Sequence, residues 1–222
     1  MRIPARGFLI AVPLLLGGCA AIPVTPAAEL EARVEKYFDD YLALNPTDAT
    51  DLGDHRYDDR LEITPSTAYE SASRELEGRA LADVRALDPG PLGDEDQLTR
   101  EMFIYNRERE LERMTFPGRL LPIDQFDGGM TAYLAIYGDG SGAQPFKTVA
   151  DYERWLARAG QFPEWVNAAI AAMREGMARG VVHPRVVMAK VVPQLESLLA
   201  VETETSVFWG PIDQMPSDWP AR

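Results

Sequence analysis

Apolar side chains recur at intervals of three and four residues through most of this 222-residue chain. That interval places them on one face of an α-helix, whereas a half-buried strand alternates apolar and polar residues. Two long helices are predicted to begin at Pro26 and Pro65, because a capping threonine precedes each proline. Their apolar stripes are Leu30, Val34, Tyr37 and Tyr41, and Tyr69, Ala72, Leu76, Ala80, Val84 and Leu87. The spacing predicts a mainly α fold, an array of about six to seven helices.

Four further helices are predicted beyond the prolines at 89 and 91, which end the second one. Thr148 suits a capping box with Asp151, and carboxylates at residues 94–96 suit the positive end of a helix dipole. Because Pro193 lies inside the last helix, we expect a kink or a break there. The four helices begin at Asp94, Thr148, Pro163 and His183, and their predicted buried side chains are Leu98, Met102 and Tyr105; Tyr152, Leu156 and Ala159; Val166, Ala169, Ile170, Met173 and Met177; and Val187, Val191, Leu195 and Leu198.

A polar, charge-dense stretch from Asn45 to Leu61 separates the first two long helices. The Asn45-Pro46 pair predicts a short helical turn capped by the asparagine and ended by Gly53. Residues 55–60 follow that turn. They are His55, Arg56, Tyr57, Asp58, Asp59 and Arg60: one imidazole, two guanidinium groups, two carboxylates and one tyrosine.

Two interpretations of residues 55–60 are open. His55, Asp58 and Asp59 form part of a metal or acid/base site in the first. In the second, arginine–carboxylate pairs pin a structural loop or cleft edge, and Tyr57 and Leu61 turn into the core. A lone histidine beside loop carboxylates is an incomplete ligand set, which favours the second interpretation.

Glycine and proline interrupt residues 116–146 repeatedly, apart from a brief apolar run at 130–137. Three glycine-containing motifs fail there. Phe146 stands where a phosphate-binding loop needs glycine, Ala143 stands where a calcium loop needs an oxygen ligand, and Ser141 has glycines directly beside it, unlike a hydrolase nucleophile elbow. We therefore expect a long loop, either a cleft edge or a packing strap.

The first 18 residues have the pattern of a secretory signal. Arg2 and Arg6 precede an apolar run at residues 8–16, which is too short to span a bilayer. Small residues then lead to Cys19. An ordinary secreted protein with a chance cysteine at the cleavage site is the alternative.

The Leu16-Gly17-Gly18-Cys19 sequence resembles a bacterial lipobox. The resemblance implies cleavage before Cys19, a lipid on its sulfur and an acylated new N-terminus. Two or more acyl chains anchor a protein stably, so the expected partner is a lipid bilayer. The expected location is the cell envelope, facing the periplasm, and Ala20 suggests the outer membrane.

Charge and cysteine content restrict the partners further. The formal charge of −13 becomes −15 once Arg2 and Arg6 are removed with the signal. So acidic a chain repels phosphate backbones, which argues against nucleic acid as a partner. Cys19 is the only cysteine, so no disulfide framework is expected.

The predicted organisation is a signal peptide at 1–18, a tether at 19–25, a helical domain at 26–203 and an irregular tail at 204–222. Phe208, Trp209 and Trp219 in that tail have no sequence-local apolar partners. From this we expect that the chain is a truncated part of a longer protein.

The sequence marks no catalytic or metal-binding residue. A zinc-hydrolase helix needs His-Glu-x-x-His, but arginine follows His55 and proline follows His183, and the chain has two histidines. A Ser-His-Asp triad remains open, although nothing marks a serine for it.

Four runs carry a family resemblance: PTDAT at 46–50, GDHRYDDRL at 53–61, FKT through DY at 146–152 and GMARGVVHP at 176–184. Together they resemble the bacterial "domain of unknown function 885" (DUF885) family, over nearly all of the mature chain. The resemblance implies a mostly helical protein, often secreted or lipidated, that looks like a zinc metallopeptidase. The family's histidine–glutamate metal motif lies in a C-terminal half that these residues do not include. Zinc is therefore expected only in that half, and no site residue is transferred here.

Two hypotheses about function follow. In the first, the chain is the N-terminal helical part of a lipid-anchored, zinc-metallopeptidase-like envelope protein. It supplies one wall of the cleft that receives a peptide substrate, and it is inactive by itself. In the second, it is a complete small periplasmic lipoprotein that acts as a helical binding or scaffolding module.

Overall fold

The computed structural model describes residues 25–126, 130–217 and 219. The predicted signal peptide, Cys19 and almost all of the predicted tether lie outside these residues. The described residues form helices and connecting turns without strands, which confirms the predicted mainly α fold class. No helix among them is both long enough and apolar enough to cross a bilayer.

The α-helices follow one another with short connections. They are α1 (Pro26–Leu44), α2 (Pro46–Asp51), α3 (Thr67–Arg85), α4 (Asp94–Arg113), α5 (Met130–Gly138), α6 (Val149–Ala159), α7 (Phe162–Arg179), α8 (Arg185–Leu199) and α9 (Gly210–Asp213). Single 3-10 turns occur at His55–Tyr57, Gly118–Leu120, Thr203–Thr205 and Val207–Trp209.

Two of the predicted helix starts are confirmed by their capping bonds. Thr25 Oγ1 accepts a hydrogen bond from the backbone N–H of Ala28 at 3.2 Å, and α1 begins at Pro26 as predicted. Thr148 and Asp151 form the predicted capping box at the start of α6. Both caps satisfy backbone donors that the first helical turn leaves unpaired.

One predicted start, that of α3, and one predicted capping bond, that of α2, are wrong, whereas α2 begins at Pro46 as predicted. Helix α3 begins at Thr67 and not at Pro65, because Ser66 provides the cap by accepting from the backbone N–H of Tyr69 at 3.0 Å. The Asn45 side chain does not cap α2. It donates instead to the Tyr41 carbonyl at 2.9 Å and accepts from the Tyr69 hydroxyl, so it ties α1 to α3.

The first core lies between α1, α3 and α4. The predicted stripes of α1 and α3 face each other there, with buried Leu30 and Val84 at the centre. The α4 prediction is wrong, since Leu98, Met102 and Tyr105 are 60%, 52% and 55% exposed. The side of α4 that carries Phe103, Ile104 and Arg107 packs against α1 and α3 instead, because Arg107 pairs with a buried carboxylate of α3.

The second core lies between α5, α6 and α7, and Leu61 also contributes to it. Its buried members are Leu61, Leu134, Tyr137, Trp155, Trp165 and Ala169. A helix, α5, therefore occupies part of the predicted long loop, where the apolar run at 130–137 lies.

The predicted buried faces of α6 and α7 are confirmed only in part: Ala169 is buried, and Ala159 and Val166 pack against the second core. Trp155 is buried on α6, whereas Leu156 is 68% exposed. On α7 the buried line is Trp165, Ala169, Ala172 and Gly176, and the predicted Met177 is 63% exposed. Burying the tryptophan side removes more apolar area from water than burying the methionine side would. Small residues beside the tryptophans also let the helices approach closely.

Helix α8 is continuous across Pro193, so of the two expected outcomes, a kink or a break, the break does not occur. Val191 is its buried residue, and Leu198 at its end is 51% exposed. The tail after α8 packs on α6: the Tyr152 hydroxyl donates to the Pro211 carbonyl at 2.6 Å, and the Trp219 ring meets the Tyr152 ring edge-on at 5.2 Å.

Candidate functional site

Residues 45–64 connect α1 to α3. Leu61 and Ile63 pack in the second core, and Asn45 is hydrogen-bonded to Tyr41 of α1 and Tyr69 of α3. Gly53 takes a left-handed conformation (φ +81°) at the end of α2, which lets the chain turn into the 3-10 turn at His55–Tyr57. The turn begins at Asp54, whose carboxylate accepts from the Arg56 N–H at 3.1 Å.

Arg158 of α6 holds this stretch from the inside. Its guanidinium is fully buried and donates to three backbone carbonyls, those of Arg60 (2.8 Å), Tyr57 (2.9 Å) and Pro46 (3.1 Å). Further donations reach Thr50 Oγ1 at 2.7 Å and, through Nη1, Gln144 Oε1 at 2.8 Å. Burial lowers the pKa of Arg158, and the nearby Asp58 carboxylate opposes that change. This role could not be predicted from sequence, because an arginine on an amphipathic helix ordinarily faces solvent.

Asp58 is the second buried charge in this network. Its Oδ1 accepts from the Thr50 hydroxyl at 2.7 Å, and Arg158 lies 3.9 Å away. His55 Nδ1 lies 3.0 Å from Asp58 Oδ2, although the two are not aligned as a hydrogen bond. The His55 side chain is 48% exposed. The structure thus brings one imidazole to one buried carboxylate.

The other predicted site residues are arranged around Tyr57. The guanidinium carbons of Arg56 and Arg60 lie 5.3 Å and 5.1 Å from the centre of its ring. Asp59 is exposed and lies 4.0 Å from Arg60, and its backbone carbonyl accepts from Gln161 Nε2 at 2.7 Å. Asp59 therefore does not join His55 and Asp58 in one cluster.

Arg56 completes an exposed ion-pair group with Asp54 and with Asp39 of α1. The hydrogen bonds from Arg56 lower the pKa of the Asp54 carboxyl. Within residues 25–126, 130–217 and 219, no group of three or more His, Cys, Asp or Glu side chains is placed to hold a metal ion.

A cavity of about 340 Å³ lies on the other side of the stretch, between α1, α3, α4 and the segment after α4. Sequence patterns did not mark it, because it forms where three helices and a proline-containing turn meet. Its lining residues are Tyr41, Leu44, Asn45, Thr64, Pro65, Tyr69, Glu70, Ser73, Leu76, Glu77, Glu110, Arg113, Met114, Phe116, Gly118, Arg119 and Pro122.

The floor and the rim of the cavity differ in exposure. Asn45, Leu76 and Glu77 on the floor are buried, whereas Phe116 is 67% exposed at the rim. Arg113, also at the rim, exposes most of its side chain. The cavity is therefore an open cleft with a partly apolar floor.

Ion pairs occupy most of the charged groups of the cavity. Arg107 donates to both oxygens of Glu77, at 3.0 and 2.8 Å. Arg113 donates through Nε to Glu110 at 2.9 Å. Burial raises the pKa of Glu77 and lowers that of Arg107, so each charge of this pair depends on the other.

Residues 46–222 match the family described as "Bacterial protein of unknown function (DUF885)". The chain belongs to the DUF885 family. No curated protein and no solved structure matches it significantly.

The four DUF885-like runs occupy distinct places in the structure. Two of them, at 46–50 and 53–61, form the stretch that Arg158 holds. The run at 146–152 opens α6, where Asp151 Oδ2 accepts from the N–H groups of Lys147 and Thr148 at 3.0 and 2.8 Å. The last run, at 176–184, connects α7 and α8. Two of the four runs therefore bind Arg158 of α6, and a third forms the start of the same helix.

Proposed function

We propose that this DUF885 chain is the N-terminal helical part of a zinc-metallopeptidase-like protein of the cell envelope, held to the outer membrane by a lipid on Cys19. Its open cavity between α1, α3 and α4 is part of the cleft that receives a peptide substrate. Zinc and the catalytic groups belong to a C-terminal half outside residues 1–222. The chain by itself is inactive.

The observation that carries this proposal is the family match over residues 46–222 combined with the open cavity inside the matched region. The cavity volume lies at the lower end of the range for small-molecule sites, roughly 300–1,000 Å³. A peptide side chain and the backbone beside it suit a cleft of that size.

Peptidase assays and metal analysis of the purified chain test the enzymatic part. We expect no turnover of a mixed peptide library and no tightly bound zinc, with or without added zinc. One tightly retained zinc per molecule, or peptide hydrolysis lost in both His55→Ala and His183→Ala, would refute the proposal.

Metabolic labelling with palmitate tests the anchor. The chain expressed in a Gram-negative host should incorporate the label and fractionate with the outer membrane. A Cys19→Ser variant should lose both the label and the membrane fraction. A labelled Cys19→Ser protein would show that the lipid is elsewhere.

The alternative function is a small lipoprotein that binds or scaffolds a partner by itself. One observation favours it: the described residues contain an open cavity of about 340 Å³ that could receive a partner group. The DNA downstream of the Arg222 codon separates the alternatives. A reading frame that continues into a histidine–glutamate motif supports the first proposal, and an intergenic region supports the second.

A further inference from the structure

Two carboxylates lie behind the floor of the cavity without a cationic partner. Asp48 of α2 accepts a hydrogen bond from the Tyr41 hydroxyl, and buried Glu62 accepts from the backbone N–H and the hydroxyl of Thr47. Neither carboxylate forms an ion pair within the part of the chain that the structure describes. Neutral donors stabilise these charges but do not cancel them.

The remaining charges around the cavity do not compensate this excess. Arg107 is paired with Glu77, and Arg113 with Glu110. Arg119 is shared between two carboxylates, Glu70 of α3 at 2.9 Å and Glu175 of α7 at 2.7 Å. Every arginine around the cavity is therefore already matched by at least one carboxylate. The cavity keeps a surplus of negative charge.

The ionisation of the two floor tyrosines reflects this field. Burial raises the pKa of Tyr41, and the hydrogen bond and charge of Asp48 raise it further. Burial also raises the pKa of Tyr69 to about 12, and the charges of Glu62 and Asp48 act in the same direction. An additional negative charge is unfavourable at this floor, and by the same physics a positive charge is favourable.

The lining of the cavity suits a cation that is attached to an apolar stem. Leu44 and Leu76 offer aliphatic contacts, and Tyr41, Tyr69 and Phe116 line the same space with aromatic rings. Aromatic faces attract ammonium and guanidinium groups, most strongly where water is partly excluded. The net charge of −13 also steers cations towards the protein from a distance.

We propose that this cavity binds an organic cation on an apolar stem, the ammonium or guanidinium group of a peptide. The group lies over the Tyr41 and Tyr69 rings, in the field of Asp48 and Glu62, and its stem contacts Leu44 and Leu76. The cation comes from a lysine or arginine side chain or from a peptide N-terminus. The inference rests on the proposed function of the cavity as part of a substrate cleft.

Calorimetric titration of the purified full chain in a neutral detergent tests the charge requirement. Nα-acetyl-lysine amide should bind at least about tenfold more tightly than Nα-acetyl-norleucine amide, which keeps the stem and lacks the charge. Comparing leucinamide with Nα-acetyl-leucinamide applies the same test to a free N-terminus. Whichever of the two amines, Nα-acetyl-lysine amide or leucinamide, binds more tightly shows whether the cation comes from a side chain or from an N-terminus. Equal binding within both pairs, or no binding by either amine, overturns the inference.

Two variants on one helix locate the site. Asp48→Asn keeps an acceptor for the Tyr41 hydroxyl but removes the charge, so it should weaken the tighter amine about fivefold or more. Asp51→Asn removes an exposed charge from the same helix and should change the affinity less than about twofold. Equal effects of the two variants contradict the assignment.

Glu70→Gln at the rim is a second variant in case Asp48→Asn does not fold, and it should weaken the same amine. Palmitate labelling of Cys19 does not depend on these titrations. A failed titration therefore overturns the cation site while the proposed envelope function stands or falls separately.

Discussion

Arg158 and Asp58 lie 3.9 Å apart, and neither side chain is exposed to solvent. Arg158 belongs to α6 in the second core, whereas Asp58 belongs to the stretch that follows α2 and leads to the first core. Two buried charges of this kind are tolerated only when each has partners. Arg158 donates to the backbone of residues 46–60, and Asp58 accepts from the Thr50 hydroxyl. The hydrogen bonds of Arg158 also fasten the two cores together.

Asp58 should be far more important for stability than its neighbour Asp59. Asp58→Ala leaves the Arg158 guanidinium buried without a carboxylate and should lower the free energy of unfolding by about 3–5 kcal/mol. Asp59→Ala removes an exposed side chain and should have little effect. Urea unfolding followed by circular dichroism compares the two, and similar losses would contradict the buried role of Asp58.

The Glu77–Arg107 pair should be sensitive to loss of its cation. The side chains are 4% and 16% exposed, so Arg107→Met leaves a buried carboxylate unpaired and should cost about 3 kcal/mol. Arg109→Met on the same helix removes an exposed pair with Glu112 and a contact with the exposed Tyr105 ring, and it serves as the control. Thermal unfolding distinguishes the two variants. A stable Arg107→Met protein would show that Glu77 does not need the ion pair.

Two glycines should respond oppositely to alanine. A Cβ atom at Gly138 would lie 2.5 Å from the Trp155 ring and 2.6 Å from the Phe208 ring. Gly138→Ala should therefore destabilise the protein by about 1–3 kcal/mol. Gly78, inside α3, has no atom within 4 Å of such a Cβ, and Gly78→Ala should stabilise it by about 0.4–1 kcal/mol. Chemical denaturation measures both changes, and a stabilising Gly138→Ala would refute the close packing of the tail.

Glu62 should make stability depend on pH. Burial raises the pKa of its carboxyl above the ordinary value of 4.5. The folded state therefore holds the proton more tightly than the unfolded state. The stabilising contribution is complete below 4.5 and is lost as the pH rises through the raised folded-state pKa.

Melting temperatures of the wild type and Glu62→Gln at several pH values between 4 and 8 test this dependence. Glutamine has a single side-chain oxygen, so it can accept one of the two Thr47 hydrogen bonds, and it does not ionise. The variant should gain stability relative to the wild type as the pH rises. A difference that stays constant across this range would exclude an ionisable, buried Glu62.

Local signals in the sequence predicted the helical elements well. The caps at Thr25 and Thr148 and the stripes of α1 and α3 could be located because capping and helical spacing act over a few neighbouring residues. The predicted stripe of α4 was wrong by a rotation of the helix, and those of α6 and α7 were rotated so that only Ala159, Val166 and Ala169 of the predicted residues pack in the second core. Each of these helices turns a residue with long-range polar or aromatic partners inward, such as Arg107, Arg158 or Trp165, and periodicity carries no information on such partners.

The candidate site was less predictable than the fold. The charge pattern at residues 54–60 drew attention to the correct stretch, but the residue that organises it, Arg158, lies about a hundred positions away in sequence. The cavity depends on side chains from three helices that only the tertiary fold brings together. Neither feature has a signature in a single short run of residues.

The central structural claim, that one buried arginine fastens the two cores through residues 45–64, is tested most directly by comparing Arg158→Met with Arg154→Met. The two arginines lie one helical turn apart on α6, and Arg154 forms only a partly exposed pair with Asp151. The free energy of unfolding from urea titration should fall by about 3–5 kcal/mol for Arg158→Met and should scarcely change for Arg154→Met. Equal stability of the two variants would contradict the claim.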